Sequence, residues 1–177
     1  MITLETKRLL LRPFKDTDLN DFYEYAKVEG VGEAAGWKHH QSIKESEHFL
    51  SIFMKNPYDI AIEHKADKKM IGSIGFKEAK LDEFDSQFKQ LEIGYVLSKD
   101  YWNQGLMSEA VSKVIEFAFN SLELDRLVVG HFTANKKSKR IIEKMGFKYV
   151  KDDVFKSESL NQTFDEKKYV LYNPNNK

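Results

Sequence analysis

Residues 91–97, Leu-Glu-Ile-Gly-Tyr-Val-Leu, lead into Tyr101-Trp102-Asn103-Gln104-Gly105-Leu106-Met107-Ser108-Glu109-Ala110, and no other passage constrains the fold as much. It predicts a strand that passes through a loop, tightest at Gly105, into a long amphipathic helix. Met107, Val111, Val114, Ile115, Ala118 and Leu122 give that helix one apolar stripe. A loop of this kind directs consecutive backbone N–H groups at one point, at the positive end of a helix. Phosphate binds there without needing a basic side chain.

The flanking sequence predicts a mixed α/β sheet rather than a doubly wound one. A first strand is expected over residues 3–14, then a helix capped by Asp16 or Thr17 and carrying Leu19, Phe22, Tyr23 and Ala26. After the glycines at 30, 32 and 36, Ser42 and Glu45 have capping-box spacing for a second helix. Strands follow at 58–63 and 70–77, joined by the polar turn 65–69. A charged connection at 80–89 leads to the strand at 91–97. Beyond the long helix come a β-branched strand at 126–132 and a short helix opened by Asn135 and closed by Gly146. Residues 149–155 and 164–172 read as a closing hairpin. The order β, α, α, β, β, β, α, β, α, β, β has strands outnumbering helices, with several antiparallel neighbours expected. One domain is expected over residues 1–172, with 173–177 a frayed tail.

Composition narrows the classes. Apolar residues make up 41%, with 13 Phe and 8 Tyr, which suits a packed core over 177 residues rather than disorder. Lys plus Arg and Asp plus Glu are 28 each, and a neutral chain does not look like a dedicated nucleic-acid binder. There are no cysteines, which removes disulfides, Cys-based metal sites and a Cys nucleophile. The apolar run Leu9-Leu10-Leu11 is far too short for a signal segment or a membrane span, so a soluble cytoplasmic protein is the expectation.

On the residues alone several features stay open between structure and chemistry. Gly105 supplies a special backbone angle whether or not a ligand binds. Gly94 within a strand suggests a bulge or a close backbone approach. Asn135 is an N-cap, and the lysines after it are a solvated face. Trp37-Lys38-His39-His40 carries adjacent histidines, but consecutive side chains diverge and no carboxylate has ligand spacing, so no metal is expected. Glu92 shares the face of Gly94, the strand period being two, and Glu158 lies in a polar segment.

Taken together, the strand–loop–helix resembles the acyl-CoA pyrophosphate site of the GCN5-related N-acetyltransferases. The general pattern there is Gln or Arg, two residues, Gly, one residue, then Gly or Ala. Here Trp102, Gly105 and Met107 stand at those positions. The wording Tyr-Trp-x-x-Gly-x-Met-x-Glu-Ala is similar to the ribosomal-protein N-terminal acetyltransferase branch. The opening strand 6–14, the Trp37 segment and the Asn135-x-x-Ser138 helix followed by Met145-Gly146-Phe147 recur in family order along nearly the whole chain.

The resemblance implies a single-domain fold with a mostly antiparallel sheet splayed between its fourth and fifth strands and helices on both faces. It implies acetyl-CoA as cosubstrate. Tyr95, Val96 and Leu97 would meet the pantetheine arm, and the backbone of Trp102, Asn103, Gln104, Gly105, Leu106, Met107 and Ser108 the pyrophosphate. Asn135 would bind a pantetheine amide, and Ser138 would sit near the sulfur and hydrogen-bond the departing thiolate. Trp37 and His40 would wall the acceptor groove. Amide formation also needs a neutral amine, hence a base. Glu92, preferred for its rigid platform, and Glu158, in a Glu-x-Leu-Asn segment like that of the ribosomal branch, are the candidates. The implied acceptor is a protein N-terminus. A small-molecule amine (polyamine, amino acid or antibiotic) and a non-catalytic acyl-CoA-binding module are the alternatives, and a homodimer is left open.

Overall fold

In a computed structural model, which describes residues 2–81 and 85–175, the chain forms twelve principal elements. They are β1 (Leu4–Glu5), β2 (Leu9–Arg12), α1 (Leu19–Ala26), α2 (Ile43–Phe53), β3 (Asp59–His64), β4 (Lys69–Glu78), β5 (Gln90–Leu97), α3 (Leu106–Asn120), β6 (Arg126–Phe132), α4 (Lys136–Lys144), β7 (Lys148–Ser157) and β8 (Gln162–Tyr172). Among the described residues the strands form one eight-stranded sheet, ordered β1-β2-β3-β4-β5-β6-β8-β7.

All neighbours are antiparallel except β5 and β6. That parallel ladder joins only Gln90 to Arg126 through Ile93 to Val129. Beyond it β5 continues to Leu97 and β6 to Phe132 without pairing to each other. The sheet therefore splays at its centre, and backbone groups of Tyr95, Val96 and Leu97 on the β6 side are left for other partners.

Strand alternation assigns the two faces. Leu9, Leu11, Ile60, Ile62, Ile74, Ile93, Leu127 and Val129 pack against Met107, Ala110, Val111, Val114 and Ala118 of α3 and Ile142 of α4. The stripe read from the sequence is thus the core face of α3, widened by Leu106, Ala110 and Phe119. On the opposite face Phe14, Phe22, Tyr25, Leu50, Ala61 and Met70 form a second cluster beneath α1 and α2.

Several expected boundaries differ. The single opening strand is a hairpin. Thr6 N donates to Leu9 O, Leu9 N donates to Thr6 Oγ1, and Leu4 pairs with Leu11. Neither Asp16 nor Thr17 caps α1. A 3-10 turn over Asp16–Asp18 precedes it, and the Asp18 carboxylate is taken by Arg12 and by the N–H of Lys15. Gly94 is no bulge, since it pairs in register with Gly75. In the capping box, Ser42 Oγ accepts from Glu45 N at 3.3 Å, but the Glu45 carboxylate takes the N–H of Gln41 instead. Asn173, expected to fray, is buried, with its amide donating to Leu124 O and its N–H to Asp125 O. The expected tail's residues 176–177, and residues 82–84 of the charged connection, lie outside the described residues.

Candidate active site

Gly105 ends the loop after β5 with φ +75°, a left-handed conformation that glycine adopts without a Cβ penalty. It is the N-cap of α3, and no side chain caps this helix. The first-turn N–H groups, of Leu106, Met107 and Ser108, have no intrahelical acceptor. They end at a cleft of about 290 Å³ that also takes in Tyr95, Val96, Leu97, Trp102, Asn103, Asn135 and Ser138. Eleven of the twelve residues expected to meet acetyl-CoA therefore line one cavity, with Tyr95, Val96 and Leu97, the stretch of β5 beyond its ladder with β6, on its wall.

Gln104 is the exception. Its carbonyl accepts from Arg8 Nη1 at 2.9 Å and its side-chain amide donates to Asp100 O, so it braces the loop from behind. Arg8 in turn is held by Glu109 at 2.8 Å, and the same carboxylate accepts from Thr6 Oγ1 and Arg8 N. The β1–β2 turn is thereby tied to the first turn of α3.

The cleft also includes residues to which the sequence assigned no role: Val31, Ala34, Ala35, Tyr101, Lys137, Arg140 and Ile141. Lys137 Nζ stands 3.6 Å from the centroid of the Trp102 ring, a cation–π contact across the cleft mouth. Spacing held a signal for part of this set, because Lys137, Arg140 and Ile141 lie three and four residues apart near Ser138 on one side of α4.

Asn135 and Ser138 are brought together as expected, with further partners. The Asn135 carboxamide oxygen accepts from Ser138 N at 3.1 Å, while its nitrogen donates to Ala34 O at 3.2 Å. Asn135 thus caps α4 and holds the 3-10 turn Glu33–Ala35 against it. Ser138 Oγ lies 2.9 Å from Tyr95 Oη. Burial pushes the Tyr95 phenol up to about 12, against the opposing effect of the Ser138 contact, so the phenol keeps its hydrogen at neutral pH.

A second, smaller cleft of about 130 Å³ meets the first at Ala34, Ala35, Tyr95, Asn135 and Ser138. Beyond the junction it is lined by Lys77, Glu92, Ile93, Gly94, Gly130, His131, Phe132, Phe155 and Glu166. Glu92 is buried, with Lys168 Nζ at 2.8 Å and Lys77 Nζ at 3.1 Å from its Oε1. Lys168 also lies 3.1 Å from Glu166 Oε2. Burial works against the Lys168 ammonium, yet its bonds to Glu92 and Glu166 outweigh this and raise its pKa. A Cβ on Gly94 would meet nothing within 4 Å, so that glycine opens space in the second cleft rather than admitting a neighbour. His131 donates from Nδ1 to Phe132 O at 2.7 Å, and its Nε2 lies 3.2 Å from Tyr169 Oη.

Three expected site residues lie elsewhere. Trp37 and His40 line neither cleft. Their rings pack together at 5.2 Å, His40 bonds Ser46 at 2.7 Å and stacks on Phe49, and Trp37 fills the space that a side chain on Gly32 would need. His40 is buried and Trp37 partly buried against the cluster beneath α1 and α2, because the loop before α2 folds its aromatic side inward. Glu158 sits exposed in the turn between β7 and β8 and also lines neither cleft. Its neighbours Ser157 and Ser159 fasten that turn to Gly36 and Lys38. Among the described residues no group of three or more His, Asp or Glu is arranged to hold a metal, and no helix is long and apolar enough to cross a membrane.

Comparison with known proteins supplies the family. The profile of the Acetyltransferase (GNAT) domain matches residues 8–148. The uncharacterized N-acetyltransferase YoaA of Bacillus subtilis (strain 168) is 32% identical over 149 residues, 81% of each chain. The ribosomal-protein-S5-alanine acetyltransferase from Vibrio fischeri superposes with a TM-score of 0.77 at 20% identity, over 100% of both chains. A spermidine N-acetyltransferase from Vibrio cholerae, solved with CoA and spermine, gives 0.76 at 16% identity, over 95% of this chain and 97% of that one. At such identities the two structures share the fold alone, but the domain match spans most of the chain. With the splayed sheet and the uncapped α3 terminus, it makes this chain a member of the GNAT family, an N-acetyltransferase that uses acetyl-CoA.

Proposed function

We propose that the enzyme acetylates the N-terminal amine of a protein or peptide, by direct attack in a ternary complex. The observation that carries this is the junction of the two clefts at Tyr95 and Ser138. One cleft suits a phosphorylated cosubstrate and the other an amine, and the hydroxyl pair stands where they meet. Bound acetyl-CoA supplies the acetyl thioester. The first-turn N–H groups of α3 would hold its pyrophosphate, and the unpaired edge of β5 its pantetheine amides. Tyr95, donating to Ser138 Oγ, leaves the serine hydrogen free to bond the departing thiolate.

Charge and shape favour a single amine over a polyamine. The carboxylates of the second cleft, Glu92 and Glu166, are already paired with Lys77 and Lys168, so a chain of several ammonium groups would meet as many lysines as carboxylates. Ala34, Ala35, Gly94 and Gly130 leave a narrow passage of about 130 Å³, with room for a small first residue. The test is transfer from acetyl-CoA to peptides beginning with Ala or Ser, against spermidine. A kcat/KM at least about tenfold higher for a peptide is expected, a difference of about 1.4 kcal/mol. Preference for spermidine would move the enzyme to the small-molecule class.

A further inference from the structure

Two carboxylates face the second cleft among its described lining residues, Glu92 and Glu166, and they are not equivalent. Glu92 has both Lys168 and Lys77 near one oxygen. Glu166 has Lys168 alone, at the longer distance of 3.1 Å and on Oε2. Its Oε1 lies over the backbone of Gly130, and a Cβ built there would stand 2.1 Å from that oxygen. The oxygen therefore occupies space that a side chain on β6 would take, in the wall of the second cleft.

We propose that Glu166, admitted to this position by Gly130, is the carboxylate that takes the proton from the acceptor amine. This rests on the reading that the amine attacks directly. The charged groups around Glu166 are Glu92 on β5, Lys77 on β4 and Lys168 on its own strand, with Asp153 its cross-strand partner on β7. Burial, with Glu92 adding to it, pushes the Glu166 carboxyl above the usual carboxylate range although Lys168 and Lys77 oppose this. A base closer to neutrality is the more effective catalyst near pH 7. Lys168 is shared, so when Glu166 gains a proton the ammonium keeps Glu92 at 2.8 Å and is not left buried without a partner.

The step balances as follows. The acceptor enters as an ammonium and gives one proton to Glu166, directly or through a water. The nitrogen's lone pair then forms the N–C bond to the acetyl carbon, and the C–S bond breaks with its pair on sulfur. The thiolate takes a proton through Ser138, matching the second one lost by nitrogen, and Glu166 returns its own to solvent.

The experiment compares wild type, Glu166→Gln, Gly130→Ala and Glu92→Gln, using acetyl-CoA with an Ala-starting peptide, spermidine and propylamine. Thermal melting and acetyl-CoA affinity are measured alongside. Glu166→Gln is expected to lower kcat by about 100-fold with unchanged cofactor affinity, and to move the acidic limb of kcat/KM up toward the amine's own pKa. Gly130→Ala, which displaces Oε1, is expected to lower kcat at least about fivefold, again without loss of acetyl-CoA affinity. Glu92→Gln leaves Lys168 to Glu166 alone and is expected to move the acidic limb down. A folded Glu166→Gln enzyme with kcat within about threefold of wild type and an unmoved acidic limb overturns the proposal. If Glu166→Gln does not fold, Gly130→Ala with wild-type kcat overturns it equally. Wild type that carries covalent acetyl in the absence of amine overturns direct attack instead, and mass spectrometry separates that outcome.

Discussion

Tyr95 on β5 and Ser138 on α4, 43 residues apart in sequence, place their hydroxyl oxygens 2.9 Å from one another where the two clefts join. A serine hydroxyl alone is a poor acid. When the Tyr95 phenol, held protonated by burial, donates to it, the serine hydrogen is left free. Ser138→Ala is therefore expected to slow single-turnover acetyl transfer by about ten- to a hundredfold, with folding and acetyl-CoA affinity near wild type. Tyr95→Phe is expected to cost less, and the double variant no more than Ser138→Ala alone, because the two act as one unit. Additive losses would show that they act separately.

The phosphate loop depends on backbone. At φ +75°, any L side chain at 105 is strained, and its Cβ would stand 3.7 Å from Arg8 Nη2, in the contact that braces the loop. Gly105→Val is expected to weaken acetyl-CoA binding at least about tenfold, roughly 1.4 kcal/mol by calorimetry. Gln104 turns its side chain to Asp100 O, away from the cleft, so Gln104→Ala is expected to change affinity by less than about twofold. Equal losses would mean a side chain carries the contact.

Gly94 offers a test of the second cleft alone. It is paired in register with Gly75 and has open space above it, so valine fits the strand there. Gly94→Val is expected to raise KM for the amine at least about tenfold while acetyl-CoA affinity stays within about twofold. Unchanged KM would place the acceptor elsewhere.

Glu109 links the β1–β2 turn to α3 and so supports the loop from outside. Burial raises its pKa, but bonds from Thr6 and Arg8 outweigh this and leave it below its ordinary value of 4.5. A carboxylate depressed in the folded state contributes stability above its unfolded pKa and loses it as pH falls through the folded one. Glu109→Gln is expected to cost about 1–3 kcal/mol at neutral pH, with the gap to wild type closing below about pH 4 in chemical denaturation. A gap constant from pH 7 to pH 3 would show that ionisation of Glu109 does not matter.

The sequence by itself determined the features that depend on neighbours along the chain. A period near 3.6 marked the core face of α3, and Asn135 and Gly146 marked the two ends of α4, where Asn135 accepts the N–H of Ser138 and Gly146 takes φ +85°. Gly105 before an apolar stripe announced the uncapped helix terminus, because backbone angle and first-turn N–H groups are local properties. Tertiary structure alone decided which polar groups face each other. Trp37 and His40 packed against one another before α2, Glu158 stayed at an exposed turn, and Glu166, unremarked in an alternating strand, reached the cleft because Gly130, two residues along β6 from its cross-strand partner Phe132, has no side chain in the way. Thr6 and Arg8 meet Glu109 across more than 100 residues. Side-chain alternation along β8 puts Glu166 and Lys168 on one face, yet only the pairing of β6 with β8, and the splay of β5 from β6, brings that face to the second cleft. Strand order and splay are set by the whole packed sheet, and no local pattern in the chain encodes them.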